Sequence, residues 1–279
     1  MKRIMYQGAP GSFSHQIGTT YFESGSLLVG RVSKFKKICE EFLSGKFDYL
    51  ILPIENTVAG SVYENYDNLF NFNLHVIAEK SIRIEHHLLT KQNDVKKISK
   101  VYSHPKALEQ CELFFENHPW IEEVAVHDTA GAAELVSQSG DTAHAAIASK
   151  EAGKLYDLPI LLSNIEDDHR NFTRFFIISK KPESVPHADK ASLVFSTSHK
   201  PGSLFHALKT FSDHRLNLTK LESRPLPDNP FEYFFYVDFE FDPAHRETVD
   251  STLKDLQNEV RFLKILGIYK KDTNGRKKS

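Results

Sequence analysis

Thr173 and Arg174 stand side by side at the entry to the apolar run Phe175-Phe176-Ile177-Ile178, with Asn171 and Phe172 just before them. A guanidinium in such a place can clamp a carboxylate through two parallel hydrogen bonds. It can equally form a structural ion pair with an acid such as Glu55 or Asp128. The position matters because α/β folds put their chemistry at strand ends. A second apolar run, Tyr49-Leu50-Ile51-Leu52, leads into Pro53-Ile54-Glu55-Asn56-Thr57, with Gly60 in a turn beyond. Glu55 and Asn56 there also fit a plain helix start, since acidic and Asn residues favour helix N-termini. Ser12, Ser103 and Thr129 each end a turn ahead of a helical pattern, and Pro105 lies just inside the second of these helices. A side-chain oxygen at such a place satisfies free backbone N–H groups, and Pro suits the first turn. Helix N-termini also attract anions, so each cap is a candidate ligand contact, with capping alone the plainer reading of any single one. His104 reads as a surface residue ahead of Pro105.

The elements that must hold these residues follow a repeating pattern to about residue 180. Ile4-Met5-Tyr6 precedes a helix through Phe13, Ile17 and Tyr21. Val101-Tyr102 precedes a helix carrying Leu108, Cys111, Phe114 and Phe115; Val124-Ala125-Val126 precedes Ala130 to Val136; Ala145-Ala146-Ile147 precedes Ser149 to Tyr156. Strands alternating with helices predict an α/β fold with a mainly parallel sheet. Phe172 and Phe175 read as strand core, with Phe175 also placed to wall a pocket. Residues 181–190 are polar and carry Pro182 and Pro186, which predicts a linker. From 191 to 270 the order becomes strand, helix (Ser203 to Asp213), strand, strand (Phe231 to Phe241), helix (Pro243 to Glu259), strand, which is the ferredoxin-like βαββαβ arrangement. Residues 271–279 are polar and basic and are expected to be a disordered tail.

Bulk properties narrow the function classes. The chain has 279 residues, 40% of them hydrophobic and 26% charged, with a net charge of −2, which suits about two globular domains. No basic field argues for nucleic acid and no polybasic block for a membrane. No stretch approaches the ~18 apolar residues of a membrane span, and the start MKRIMYQGAP has no apolar signal region. Cys39 and Cys111 are far apart, so reduced thiols in a cytoplasmic protein are expected. The 14 histidines show no HExxH spacing, and His86 and His87 would point to opposite faces of a strand, so no metal site is expected.

Six segments together carry a resemblance. They are Gln7-Gly8-Ala9-Pro10-Gly11-Ser12-Phe13-Ser14, Leu52 to Val62, Ser103-His104-Pro105-Lys106-Ala107-Leu108, Asn171-Phe172-Thr173-Arg174-Phe175, Pro201-Gly202-Ser203-Leu204 and Glu222-Ser223-Arg224-Pro225. In this order, with the change of domain between them, they resemble bacterial prephenate dehydratase over nearly the whole chain. The resemblance implies two α/β lobes like a type II periplasmic binding protein, with the active site between them, followed by an ACT regulatory domain. It implies conversion of prephenate to phenylpyruvate, water and CO2 without metal or organic cofactor, inhibition by phenylalanine, and a homodimer or homotetramer. Asn171, Thr173 and Arg174 would be catalytic, with Thr173 donating a hydrogen bond to the leaving hydroxyl. Ser12, Glu55, Asn56, Thr57, Gly60, Ser103 and Phe175 would bind substrate. Pro201, Gly202, Ser203, Leu204, Glu222, Ser223, Arg224 and Pro225 would bind the effector, with the amides about Gly202 receiving its carboxylate.

The chain departs from the family at three places. Thr57 replaces a usual serine but keeps the hydroxyl. Gly202-Ser203-Leu204-Phe205 stands where Gly-Ala-Leu-Val is common, and the bulkier Phe205 bears on the effector pocket or its interface. His169-Arg170 stands where Pro and Asn are frequent. Two other functions fit the same motifs: an arogenate dehydratase, and a catalytically dead amino-acid binder joined to an ACT sensor.

Overall fold

The structure, a computed structural model, describes residues 1–31, 34–226 and 229–273. Its contacts divide the chain into two compact units, one of residues 1–65 and 80–175, the other of 66–79 and 176–273. The first unit begins with β1 (Arg3–Gln7), α1 (Phe13–Tyr21), β2 (Leu27–Arg31), α2 (Phe35–Leu43), β3 (Tyr49–Asn56) and β4 (Gly60–Ser61). The boundary between units then divides α3 (Tyr63–Asn71) and β5 (His75–Arg83). Next come β6 (His87–Leu89), β7 (Lys100–Ser103), α4 (Pro105–Glu109), α5 (Glu112–Glu116), β8 (Glu122–Ala125), α6 (Thr129–Ser139), β9 (His144–Ala148), α7 (Lys150–Leu155), β10 (Ile160–Leu162) and β11 (Phe172–Ser179), which the boundary divides again.

Two sheets result, in the orders β2-β1-β3-β11-β5, with β4 against β3, and β10-β6-β9-β7-β8. β1 runs parallel to β2 and β3, and β7 parallel to β8 and β9. β6 runs antiparallel to its neighbours β9 and β10, and β4 antiparallel to β3, so the sheets are mixed where the sequence predicts a mainly parallel one. Mixed α/β sheets of this kind fit the type II periplasmic-binding-like fold. Side chains of β9 alternate between two cores. Ala145 and Ile147 join Leu108, Cys111 and Phe114 on one face, while Ala146 and Ala148 join Ala130, Ala133 and Ala152 on the other. Covered on both faces, such strands read as continuous apolar runs.

Two local differences from the sequence reading reposition the polar residues. β3 does not stop at Leu52 but continues through Pro53 to Asn56. β1 pairs with it only as far as Ile51, so the missing Pro53 amide breaks no bond on that side. Glu55 and Asn56 are therefore strand residues, not a helix start. The chain then turns back on itself at Gly60, whose φ of +81° favours glycine, and Glu55 and Asn56 pair with Ser61 and Gly60. The helix expected from Pro105 onward is broken at Gln110 and Cys111. The carboxylate of Asp167 accepts from the amides of Glu112 and Leu113 at 2.8 and 3.3 Å, starting α5 afresh.

The second unit holds β12 (Lys190–Ser196), α8 (Ser203–Asp213), β13 (Asn217–Leu226), β14 (Asn229–Glu240), α9 (Arg246–Glu259) and β15 (Phe262–Tyr269). They form an antiparallel sheet in the order β13-β14-β12-β15, the ferredoxin-like arrangement. Leu193, Phe195, Ala207, Phe211, Val237, Phe239, Val249 and Leu256 fill its core. Lys190, at the end of the linker, is buried and bonds both oxygens of Glu79 at 3.0 and 2.8 Å. Of the expected tail, Lys271 and Asp272 are held by Asp189 and Glu79 through their amides; 274–279 lie outside the described residues. Among the described residues no helix is long and apolar enough to cross a membrane.

Candidate active site

β3 and β11 are neighbours in the first sheet, and the amide of Thr57 donates to the Phe172 carbonyl at 2.9 Å. The two polar strand ends of the sequence thereby meet. Asn56 is the hub. Its Oδ1 accepts from the amides of Val58 and Ala59 at 3.0 and 2.7 Å. Two backbone donors fix which side of the amide is oxygen, so Nδ2 faces the opposite way. From there it donates to Asn171 Oδ1 at 2.6 Å and to Thr173 Oγ1 at 2.9 Å, with the Phe172 carbonyl at 3.2 Å. A hydroxyl that receives a hydrogen bond on oxygen keeps its own hydrogen to give. Asn56 therefore leaves the Thr173 hydroxyl with its own hydrogen still to donate.

The flanking residues hold this pair in place. Thr57 Oγ1 donates to the Arg170 carbonyl and accepts from the Phe172 amide, both at 2.9 Å, so its hydroxyl clamps the start of β11. Arg174 Nη1 lies 3.3 Å from Glu55 Oε2. Of the two acids the sequence offers Arg174, Glu55 is the one it is paired with, while Asp128 caps α6, accepting from the Gly131 amide at 2.7 Å. His169 and Arg170 bind within their own loop, to Glu166 at 3.2 Å and Asp168 at 3.1 Å. Phe175 is buried in β11.

Gln110, which the sequence reading did not single out, extends the network. Its Oε1 accepts from Asn171 Nδ2 at 3.0 Å and lies 3.1 Å from His86 Nε2. Asn171 and His86 are 1% and 2% exposed, so these are interior bonds. No local pattern reveals Gln110, because the break that presents it depends on Asp167, distant in sequence. A cavity of about 320 Å³ lies beside these amides, lined by Lys106, Gln110 and Asn171 together with Glu109, Glu166, Asp167 and Asp168. Its four carboxylates do not suit a polyanionic ligand, and Thr173 does not line it.

The expected caps are realised differently. Ser12 caps α1, accepting from the His15 amide at 3.3 Å. Ser103 is buried and donates to the Ile147 carbonyl at 2.6 Å, so it is not the cap. His104 takes that role through Nδ1, 3.2 Å from the Lys106 amide; burial lowers its pKa, keeping that nitrogen an acceptor. Thr129 is likewise displaced by Asp128. Asn56, Thr57, Asn171 and Thr173 thus form one bonded cluster beside Glu55–Arg174, while Ser12 and Ser103 are bonded elsewhere.

In the second unit, Gly202 starts α8 at φ +85° with no side-chain cap, and the Ser203 amide donates to the Lys200 carbonyl. With Lys200, Leu204, Phe205, Tyr233 and Phe235 it lines a cavity of about 390 Å³. Pro201 is exposed and does not line it. Glu222, Ser223, Arg224 and Pro225 lie on β13 and do not line that cavity; Arg224 Nη2 bonds Asp67 at 2.8 Å.

A profile of the prephenate dehydratase family matches residues 4–183. The chain is 37% identical to arogenate dehydratase/prephenate dehydratase 2 of Arabidopsis thaliana, over 97% of this chain and 73% of that one. It is 36% identical to the bifunctional chorismate mutase/prephenate dehydratase of Aquifex aeolicus, over 96% and 74%. Prephenate dehydratase of Arthrobacter aurescens, solved in complex with L-Phe, superposes with a TM-score of 0.86 at 25% identity, over 98% and 91% of the two chains. A structure described as GqqA, a novel type of quorum quenching acylase, also gives 0.86, at 28% identity over 99% and 100%. With a matching profile over most of the two-sheet region and relatives above 30% identity along almost its whole length, the chain belongs to the prephenate dehydratase family and is a decarboxylating dehydratase, a lyase.

Proposed function

We propose that this dehydratase converts prephenate to phenylpyruvate, water and CO2 in L-phenylalanine synthesis, with Thr173 as donor to the leaving hydroxyl. The observation that carries this reading is the 2.9 Å bond from Asn56 Nδ2 into Thr173 Oγ1, which leaves the Thr173 hydrogen available to a leaving group. The ring carbon–carboxylate bond of prephenate breaks, and its electron pair closes the aromatic ring as the carbon–hydroxyl bond breaks. The oxygen leaves with the electron pair of the carbon–oxygen bond and takes up a proton that comes ultimately from solvent to become water. Aromatisation drives the step, so no electron sink is needed. A threonine hydroxyl is too weak an acid to surrender its proton outright. It acts as a preorganised donor whose bond strengthens as charge grows on the leaving oxygen. Arg174, oriented by Glu55, holds a substrate carboxylate in its planar fork.

The second unit acts in this reading as an ACT regulatory domain that binds L-phenylalanine. The cavity around Gly202 offers an uncapped helix start for a carboxylate and the rings of Phe205, Tyr233 and Phe235 for an aromatic side chain. An adjacent subunit in a homodimer or homotetramer would supply the Glu222–Pro225 motif to it. Initial rates of the purified chain with prephenate and with arogenate, each with and without L-phenylalanine, test the whole. The expected result is phenylpyruvate from prephenate, suppressed by L-phenylalanine. A larger kcat/KM for arogenate reassigns the substrate. Phenylalanine binding without turnover favours a sensor, and hydrolysis of an acyl amide instead favours an acylase.

A further inference from the structure

His86 belongs to the histidine pair of the sequence, has no assigned role, and lies at the far end of the amide chain from Thr173. The polarity of that chain can be followed link by link. The Val58 and Ala59 amides fix Asn56 Oδ1, so Asn56 Nδ2 is the atom that meets Asn171 Oδ1 at 2.6 Å. Asn171 must then present Nδ2 to Gln110, 3.0 Å away, and Gln110 must answer with its oxygen. His86 Nε2 lies 3.1 Å from that same oxygen, where only an N–H makes a bond. The ring is therefore the Nε2–H tautomer. Its Nδ1 is buried with no hydrogen-bond partner among the described residues, so no acceptor there calls for a proton on it. Burial disfavours the imidazolium and, with His87 beside it, outweighs the opposite pull of the Gln110 bond and of the Glu166 carboxylate, which accepts from the His86 backbone amide at 2.9 Å; the Phe13 ring stands edge-on at 6.2 Å.

We propose that His86 is a positioning residue, whose Nε2–H locks Gln110 and through it the Asn171–Asn56 orientation that turns the Thr173 hydroxyl towards the substrate. Any other tautomer or amide flip sets two donors or two acceptors face to face at some link, and Asn56 cannot flip to relieve it. The inference rests on Thr173 being the donor to the leaving group.

Two measurements test it. Nitrogen-15 NMR of the histidine rings in the intact wild-type chain reads the tautomer without reference to activity. The expected signal for His86 is protonation at Nε2 alone at neutral pH; protonation at Nδ1, or a doubly protonated ring, overturns the proposal. Kinetics then compare His86→Leu, which removes the donor, with His86→Gln, which returns an N–H at similar reach. His86→Leu is expected to lower kcat about 10- to 100-fold with KM changed by less than about 3-fold, as for a misplaced reacting group. His86→Gln should recover most of that loss. An unchanged kcat in His86→Leu, or equal losses in both variants, assigns His86 to packing alone. Full turnover in Thr173→Val would instead defeat the reading of Thr173, while leaving the tautomer result intact.

Discussion

Asn56→Asp is the most informative single change, because it keeps the shape of the hub and reverses one atom. The wild-type Nδ2 donates at 2.6 Å to Asn171 Oδ1 and at 2.9 Å to Thr173 Oγ1, with the Phe172 carbonyl at 3.2 Å. A carboxylate oxygen in its place has nothing to give, while the other oxygen still accepts from Val58 and Ala59. The Phe172 carbonyl cannot respond, and Asn171 can do so only by an amide flip that carries Gln110 and the His86 tautomer with it. Thr173 can, by rotating its hydroxyl to donate into the new carboxylate. The hydrogen meant for the leaving oxygen is then consumed. Losing one such donor to developing charge costs about 10²- to 10³-fold in kcat, or ~3–4 kcal/mol. Stability should fall by about 2–6 kcal/mol, since two acceptors are left facing a third, at ~1–3 kcal/mol each. The assay is the initial rate of phenylpyruvate formation at saturating prephenate, on protein shown folded by circular dichroism. Protonating the new acid restores a donor towards Thr173, so kcat relative to wild type should rise as pH falls. A folded Asn56→Asp enzyme within about 5-fold of wild type at neutral pH would refute the claim that Asn56 orients Thr173.

Arg174→Lys keeps the charge but loses the planar fork. KM for prephenate should rise about 10- to 100-fold, the scale of a charged hydrogen bond at ~1.5–3 kcal/mol, with a smaller change in kcat; steady-state kinetics check this. Burial holds the pKa values of His86 and His87 below the ordinary 6.5. The unfolded chain therefore binds protons that the folded chain refuses, and stability should fall as pH drops through and below 6.5. One unit below, each histidine kept neutral loses at most about 1.4 kcal/mol. Urea midpoints at pH 7.5 and 5.5 measure it, and equal midpoints would show these rings titrating alike in both states.

The sequence made some of this legible and hid the rest for local reasons. β11 and α8 stand where their apolar runs and flanking residues predict them, because both are set by short-range patterning. Thr173 and Arg174 were visible for the same reason. The caps at Ser103 and Thr129 were misplaced by one residue. Several neighbours there carry an acceptor, and the backbone conformation selects His104 and Asp128. Gln110 was hidden within an apparently continuous helix that Asp167 interrupts from far along the chain. Lys190 reads as a linker charge, yet it is buried against Glu79, 111 residues away. Long-range polar pairings of this kind leave no periodic trace in a single sequence.

The central claim is that Thr173 gives a hydrogen bond to the departing oxygen. Its most direct measurement is kcat on prephenate for wild type, Thr173→Ser and Thr173→Val, each verified as folded. The account predicts substantial turnover in Thr173→Ser, which keeps a hydroxyl, and loss of about 10²- to 10³-fold or more in Thr173→Val, which keeps only the shape. Near-normal turnover in Thr173→Val would contradict it.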